Sequence, residues 1–175
     1  MTEYIPPGSD VFKEAYKPNT QTVTLELHRL LSIFLSSKSF AELRTGTGEE
    51  FDSIAEIQQH EGDEITRILL AVAITARVID DRQNKVFDAI SESCGTLVDV
   101  VATPGEESPL SLREACNKII HAQKIRFDLS ETDAHQTYLN PLIYLYGQRQ
   151  NGAEWKATLN VIEFAKEYVS CIQIF

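Results

Sequence analysis

Apolar residues recur at helical spacing in three stretches of the N-terminal half of the chain. Val23, Leu27, Leu30, Leu31, Phe34 and Leu35 predict a helix from about Val23 to Ser37, with room for one further turn over Ser39 to Leu43 before Gly46-Thr47-Gly48 breaks the chain. Phe51, Ile54 and Ile57 repeat every third residue behind Glu49 and Glu50, acids suited to the positive end of a helix dipole, and predict a short helix. Ile65, Ile68, Leu69, Val72, Ala76 and Ile79 make the clearest stripe, giving a helix over about Asp63 to Asp81. Its middle, LLAVAITA, is apolar almost all round, so this helix is expected to be central.

The pattern changes in the C-terminal half. Val86 to Ser93 predicts a short helix ending before Gly95, Leu97 to Val101 fits helix or strand alike, and Thr103 to Pro109 reads as a loop. Ser111-Leu112-Arg113-Glu114 is a capping box, starting a helix with Leu112, Ala115, Cys116, Ile119 and Ile120 on one face. Lys124 to Leu129 then alternates as a strand, Ser130 to Asn140 is polar, and Asn151-Gly152 has the residues of a tight type I′ turn. Leu142 to Arg149 and Ala153 to Leu159 should therefore pair as a hairpin, with Trp155, Ala157 and Leu159 on one side. Asn160 is a cap for a last helix that turns Ile162, Ala165 and Val169 inward.

Together these elements predict a mainly α (α+β) protein. A helical bundle carries a small C-terminal antiparallel hairpin or three-stranded sheet, followed by a final helix. Residues 1–19, with three of the six prolines, are expected to form an extended or flexible arm, and 20–175 a single domain. No internal repeat or low-complexity tract interrupts it.

Charge and cysteine usage narrow the function classes. The net charge of −10 argues against nonspecific binding to nucleic acid, which depends on Lys and Arg displacing counterions from phosphates. The charge is uneven, however. Glu49 to Glu64 holds seven acids and no base, whereas Ser111 to Asn160 balances six bases against five acids, so an anion would bind in the second segment. Three widely spaced cysteines in no Cys/His pattern suggest reduced thiols and a cytoplasmic protein. The longest uncharged apolar run, Ile68 to Ala76, falls well short of the ~20 residues that span a bilayer.

Chemistry is sparse. No glycine-rich phosphate loop, nucleophile elbow or paired Cys/His system is present, and no residue set calls for a cofactor or a metal. His60-Glu61-Gly62-Asp63-Glu64 imitates a metal site but lacks a second histidine at helical spacing, so it reads as a solvated charged face. Asp133 and His135 lie in a polar loop, with only proximity in sequence to recommend their joining His121 across space. Tyr138, Tyr144, Tyr146 and Trp155 suit either a stacking surface for bases or cross-strand core packing, and packing explains them more simply.

One ridge along the capped helix carries a polar constellation of Arg113, Asn117 and His121, in which Asn117 is placed to orient His121 one turn away. The segment LREACNKIIHA resembles the helix of HEPN-type bacterial domains, helical bundles of which many are metal-independent endoribonucleases of toxin and phage-defence systems. Seven residues separate Arg113 from His121, where the family's pattern has four to six, and Glu114 follows the arginine. The resemblance implies His121 as acid/base, Arg113 on phosphate and Asn117 as its orienting partner. The residues themselves favour a non-catalytic binding or regulatory protein, with Glu49, Glu50, Asp52 and Glu56 facing a basic protein partner, or a homodimer.

Overall fold

A computed structural model of the chain describes residues 19–45, 51–82, 86–99 and 106–173. In chain order the elements are α1 (Thr20–Leu43), α2 (Ser53–Gln58), α3 (Glu61–Arg82), α4 (Phe87–Ile90), β1 (Ser93–Asp99), β2 (Glu107–Ser111), α5 (Leu112–His121), β3 (Lys124–Glu131), β4 (Thr137–Gln148), β5 (Glu154–Asn160) and α6 (Val161–Gln173). The expected N-terminal arm lies outside the described residues except for Asn19. Its side chain caps α1 by accepting from the N–H groups of Gln21 and Thr22.

The strands form one antiparallel sheet in the order β2-β1-β5-β4-β3. A helical bundle with a small hairpin or three-stranded sheet is therefore corrected to an α+β fold built on five strands. Three segments account for the difference. Of the ambiguous run Leu97 to Val101, Leu97 to Asp99 belong to β1, held between β2 and β5, and Val100 and Val101 lie outside the described residues. Glu107 to Ser111, partly read as loop, is an edge strand, where Pro109 needs no ladder donor. β4 begins at Thr137 within the segment read as polar loop, and β3 runs on to Glu131.

Period-two alternation gives the sheet two unlike faces. In β4 and β5 the register pairs Ile143 with Leu159, Leu145 with Ala157 and Gly147 with Trp155, and all six are buried. The intervening pairs, Leu142–Asn160, Tyr144–Thr158 and Tyr146–Lys156, are not buried. The buried face packs against α1, α5 and α6. Their inward residues include Leu27, Leu30 and Phe34 of α1, Leu112, Ala115 and Ile119 of α5, and Phe164 and Tyr168 of α6. On α6 this places Phe164 and Tyr168 at the core beside Ala165, while the expected Ile162 and Val169 are only half-buried. The Tyr168 hydroxyl donates to the Val72 carbonyl of α3 at 2.8 Å, which satisfies a fully buried phenol and sets α6 on α3.

The β4–β5 connection departs from a two-residue type I′ turn. Arg149 N–H donates to Ala153 O and Gly152 N–H to Arg149 O, leaving a three-residue loop in which Gly152 alone takes the left-handed conformation, at φ 81°. The Asn151 side chain accepts from Ala153 N–H instead of adopting positive φ. The β3–β4 turn repeats this bonding, Thr132 N–H to Gln136 O and His135 N–H to Thr132 O, with His135 as the left-handed residue at φ 59°.

Gly147 gives the buried face a close approach of strand to ring. A Cβ there would stand 2.3 Å from Trp155 Cζ2 and 3.0 Å from the His121 carbonyl, so the indole lies across the glycine. Gly147→Ala must displace both a ring and a main-chain oxygen, and it is expected to cost about 2 kcal/mol by overpacking. Urea unfolding followed at Trp155, the one tryptophan of the chain, measures this; a midpoint equal to that of the parent protein contradicts it.

Candidate functional site

The ridge on α5 separates into two unrelated environments. Arg113 turns to the C-terminal end of α3, where it pairs with the fully buried Asp80, with Asp81 at 2.9 Å and with Asp88 at 3.8 Å. Asp80 also accepts from the Phe87 N–H at 2.9 Å, so one carboxylate ties α3, α4 and α5 together. The capping half of the Ser111 box is present, Glu114 N–H to Ser111 Oγ at 3.3 Å, but the Glu114 carboxylate is taken by Asn117 at 3.4 Å and Lys118 at 3.1 Å. Asn117 thus donates to Glu114 and not to His121.

His121 is exposed at the other end of the helix. With Asn117, Lys118, Arg149 and Trp155 it lines a recess of about 440 Å³ that Arg113 does not reach. Lys118 is itself 6% exposed, its ammonium 4.4 Å from the Trp155 ring centre and paired with Glu114. His135 and Asp133 sit in the β3–β4 turn, whereas His121 precedes the start of β3, so an eight-residue strand of ~23 Å lies between them. His135 lies beside Glu131 at 3.3 Å.

The acidic segment is likewise divided. Glu49 and Glu50 lie outside the described residues. Asp52 caps α2 by accepting from Ile54 and Ala55 N–H, and its second oxygen accepts from Thr45 N–H. Glu56 is exposed beside Gln59. Glu61 belongs to a polar node: Ser37 Oγ donates to it at 3.0 Å and accepts from Leu139 N–H at 3.1 Å, joining α1, α3 and β4. Burial is the main influence on Glu61 and holds its carboxyl above the ordinary 4.5, against the opposing hydrogen bonds of Ser37 and Gln58. Among the described residues no group of three or more His, Cys, Asp or Glu side chains is arranged to hold a metal.

The cysteines are free and buried. Burial pushes the Cys94 thiol up to about 12 and that of Cys171 up to about 11, and raises Cys116 as well, so all three remain thiols at neutral pH.

The remaining chemistry lies on the unburied face of β3, β4 and β5. Tyr144 and Tyr146 alternate with the buried Ile143 and Leu145 and so stand side by side on that face. Cross-strand neighbours surround them: Lys124 opposite Tyr146 and Arg126 opposite Tyr144 on β3, and Lys156 opposite Tyr146 on β5. Lys156 Nζ sits 4.8 Å from the Tyr144 ring centre, and the Arg126 guanidinium 5.9 Å from that of Tyr146. Neither these two cations nor Lys124 pairs with a carboxylate among the described residues. Beside them β4 bulges over Asn140 to Leu142 opposite Asp128 of β3, at Pro141, which has no N–H to give to the ladder. At this irregularity Asp128 accepts from Tyr144 OH and Asn140 Nδ2, both at 2.7 Å. The bond to Asp128 is the main reason the Tyr144 phenol is held above its ordinary value of 10, so the hydroxyl stays a donor and the ring is fixed.

The four aromatics do not share one environment. Trp155 is 3% exposed in the core, while Tyr144 and Tyr146 lie on the opposite side of the sheet. Tyr138 stands apart, under Lys38 of α1 at 5.8 Å.

Compared with protein-family models, with curated proteins and with solved structures, the chain matches none. Among the described residues no helix is long and apolar enough to cross a membrane.

Three substitutions test these assignments. Arg113→Met strands the Asp80 carboxylate in the core and is expected to lower stability by about 3–5 kcal/mol, whereas the exposed His121→Ala should stay within ~0.5 kcal/mol, both read from urea midpoints. An Arg113→Met cost no larger than that of His121→Ala rejects the structural role. Because the folded protein holds the Glu61 proton more tightly than the unfolded chain, Glu61 favours folding at low pH and that contribution is lost as pH rises from 4.5 through the higher folded value. Glu61→Gln keeps an acceptor for Ser37 without the charge. The parent midpoint should fall relative to the variant's as pH rises above about 4.5; a constant difference rejects the assignment.

Proposed function

We propose that this is a non-catalytic binding protein whose open sheet face on β3, β4 and β5 takes an anionic ligand. The observation that carries the reading is the clustering of Lys124, Arg126 and Lys156 around two half-exposed tyrosines, without carboxylate partners among the described residues, in a chain of net charge −10. Such an acidic chain gains nothing from concentrating unpaired cations on one face unless that face meets negative charge. Their present contacts with the rings are worth only ~0.5–1 kcal/mol each at an exposed site, so the side chains can turn from ring to ligand at low cost.

This reading takes precedence over two others. Recognition of a basic protein through Glu49, Glu50, Asp52 and Glu56 would draw on Asp52, which is committed to three main-chain N–H groups. A HEPN-like endoribonuclease would need Arg113 on phosphate beside His121, and Arg113 is engaged by Asp80 and Asp81.

Titration of the isotope-labelled protein with inorganic polyphosphate at low salt, followed by amide NMR, tests the proposal. Shifts should concentrate at Lys124 to Asp128, Leu142 to Tyr146 and Lys156 to Thr158. They should vanish in the triple variant Lys124→Ala, Arg126→Ala, Lys156→Ala. Shifts confined to other surfaces, or none, reject it.

A further inference from the structure

We infer that the ligand of the open face is a single strand of nucleic acid, with one base stacked on Tyr144 and the next on Tyr146; this rests on the anion-binding reading above. Three features of the face point to it. Tyr144 and Tyr146 are alternate residues of one strand, so their side chains emerge ~6.8 Å apart on the same side of the sheet. That is about twice the ~3.4 Å repeat of bases stacked within a nucleic-acid strand. Two neighbouring bases can therefore each occupy a ring only when they have been parted from one another, which a single strand permits and a duplex resists.

The cations are placed for the backbone of such a strand. Lys124 and Arg126 flank the tyrosines from β3, and Lys156 flanks them from β5, so phosphates on either side of the paired bases meet positive charge. Among the described residues no strand pairs with the outer side of β3, which leaves the nucleic-acid strand a way on and off the platform.

Tyr144 is also prepared for stacking. Its hydroxyl donates to Asp128, which Asn140 holds in turn, so the ring is fixed before any base arrives. Among the described residues Tyr146 has no such tether, but Arg126 lies over it and a guanidinium plane can itself cover a base. The net charge of −10 removes general attraction for polyanions, so affinity must come from base contact to an unusual degree.

Fluorescence anisotropy with short labelled RNA and DNA strands tests the inference, run beside an abasic strand of equal length and a duplex of the same sequence. A base-bearing single strand should bind at least ~10-fold tighter than the abasic strand and the duplex, and comparison of the RNA and DNA arms identifies the sugar that is preferred. Tyr144→Ala and Tyr146→Ala should each weaken base-bearing strands by ~5- to 100-fold, while leaving abasic binding in place. Tyr146→Phe, which keeps the ring, should retain binding. Log affinity should fall with log salt at a slope of about −2 for three phosphates, and of about −1.4 in Lys156→Ala. Urea midpoints of the tyrosine variants check that each is folded. Equal binding of abasic and base-bearing strands, or duplex binding as tight as single-strand binding, overturns the inference. If polyphosphate binds the face and no base-bearing strand does, the stacking inference falls and the anion-binding reading stands; if neither binds, both fall.

Discussion

A carboxylate removed from water has to be compensated where it lies, and Asp80, with no exposed surface, sets that condition for the helical half of the molecule. Arg113 and the Phe87 N–H meet it together, one from α5 and one from α4. Their convergence fixes how the end of α3, the start of α4 and the start of α5 meet. Because β2 runs directly into α5 at Ser111, the same contact also sets the β2 edge of the sheet. Ser111 adds a second tie to this corner, with its hydroxyl donating to Asp88 at 2.6 Å while it caps the helix.

From that corner the sheet carries order across to the far edge. β5 lies at its centre, pairing with β1 on one side and β4 on the other, and its alternation separates Trp155, Ala157 and Leu159 from Lys156 and Thr158. The buried set closes the core against α1, α5 and α6, and the other set is left on an open face. Packing on one side therefore presents the chemistry on the other. Gly147 is the point where the two requirements meet, because the indole can lie flat on the strand only where there is no side chain, one residue away from Tyr146.

How far the fold was legible in the sequence depended on whether the signal was local. The Ser111 cap, the α5 face and the β4–β5 pairing rest on short-range patterns and are present in the structure. β1 and β2 were not legible, because a seven-residue run and ESPLS are too brief for periodicity to decide, and β1 takes its strand character from β5 and β2 from β1. Pro141 and the polar residues before it disguised the start of β4, since a bulge breaks the alternation by which a strand is recognised. The Arg113–Asp80 pair left a usable trace: Asp80 lies four residues beyond Ala76, on the inward stripe of α3, and a charge there calls for a buried partner. Reading Arg113 only along its own helix toward His121 missed it, because helical spacing says nothing about a partner more than thirty residues away.

The open face was legible in part, and the missing piece was the register. Alternation alone sets Tyr144 and Tyr146 apart from Ile143 and Leu145, but separating them from Trp155 required the β4–β5 register, which the three-residue loop sets. Once Gly147 stands opposite Trp155, the tyrosines fall opposite Thr158 and Lys156, and the cations of β3 come into the same rows. The residues then form an arrangement that none of their own segments contains, with rings from one strand and charges from its two neighbours. Core packing cannot be the reason for these tyrosines, because the core lies on the other side of the sheet. Cross-strand support within the sheet accounts for the contacts of Lys156 and Arg126 with the rings. It does not account for the absence of carboxylate partners among the described residues in a chain with ten more acids than bases. That imbalance, local and opposite in sign to the whole molecule, is the physical ground for assigning the face to an anionic partner.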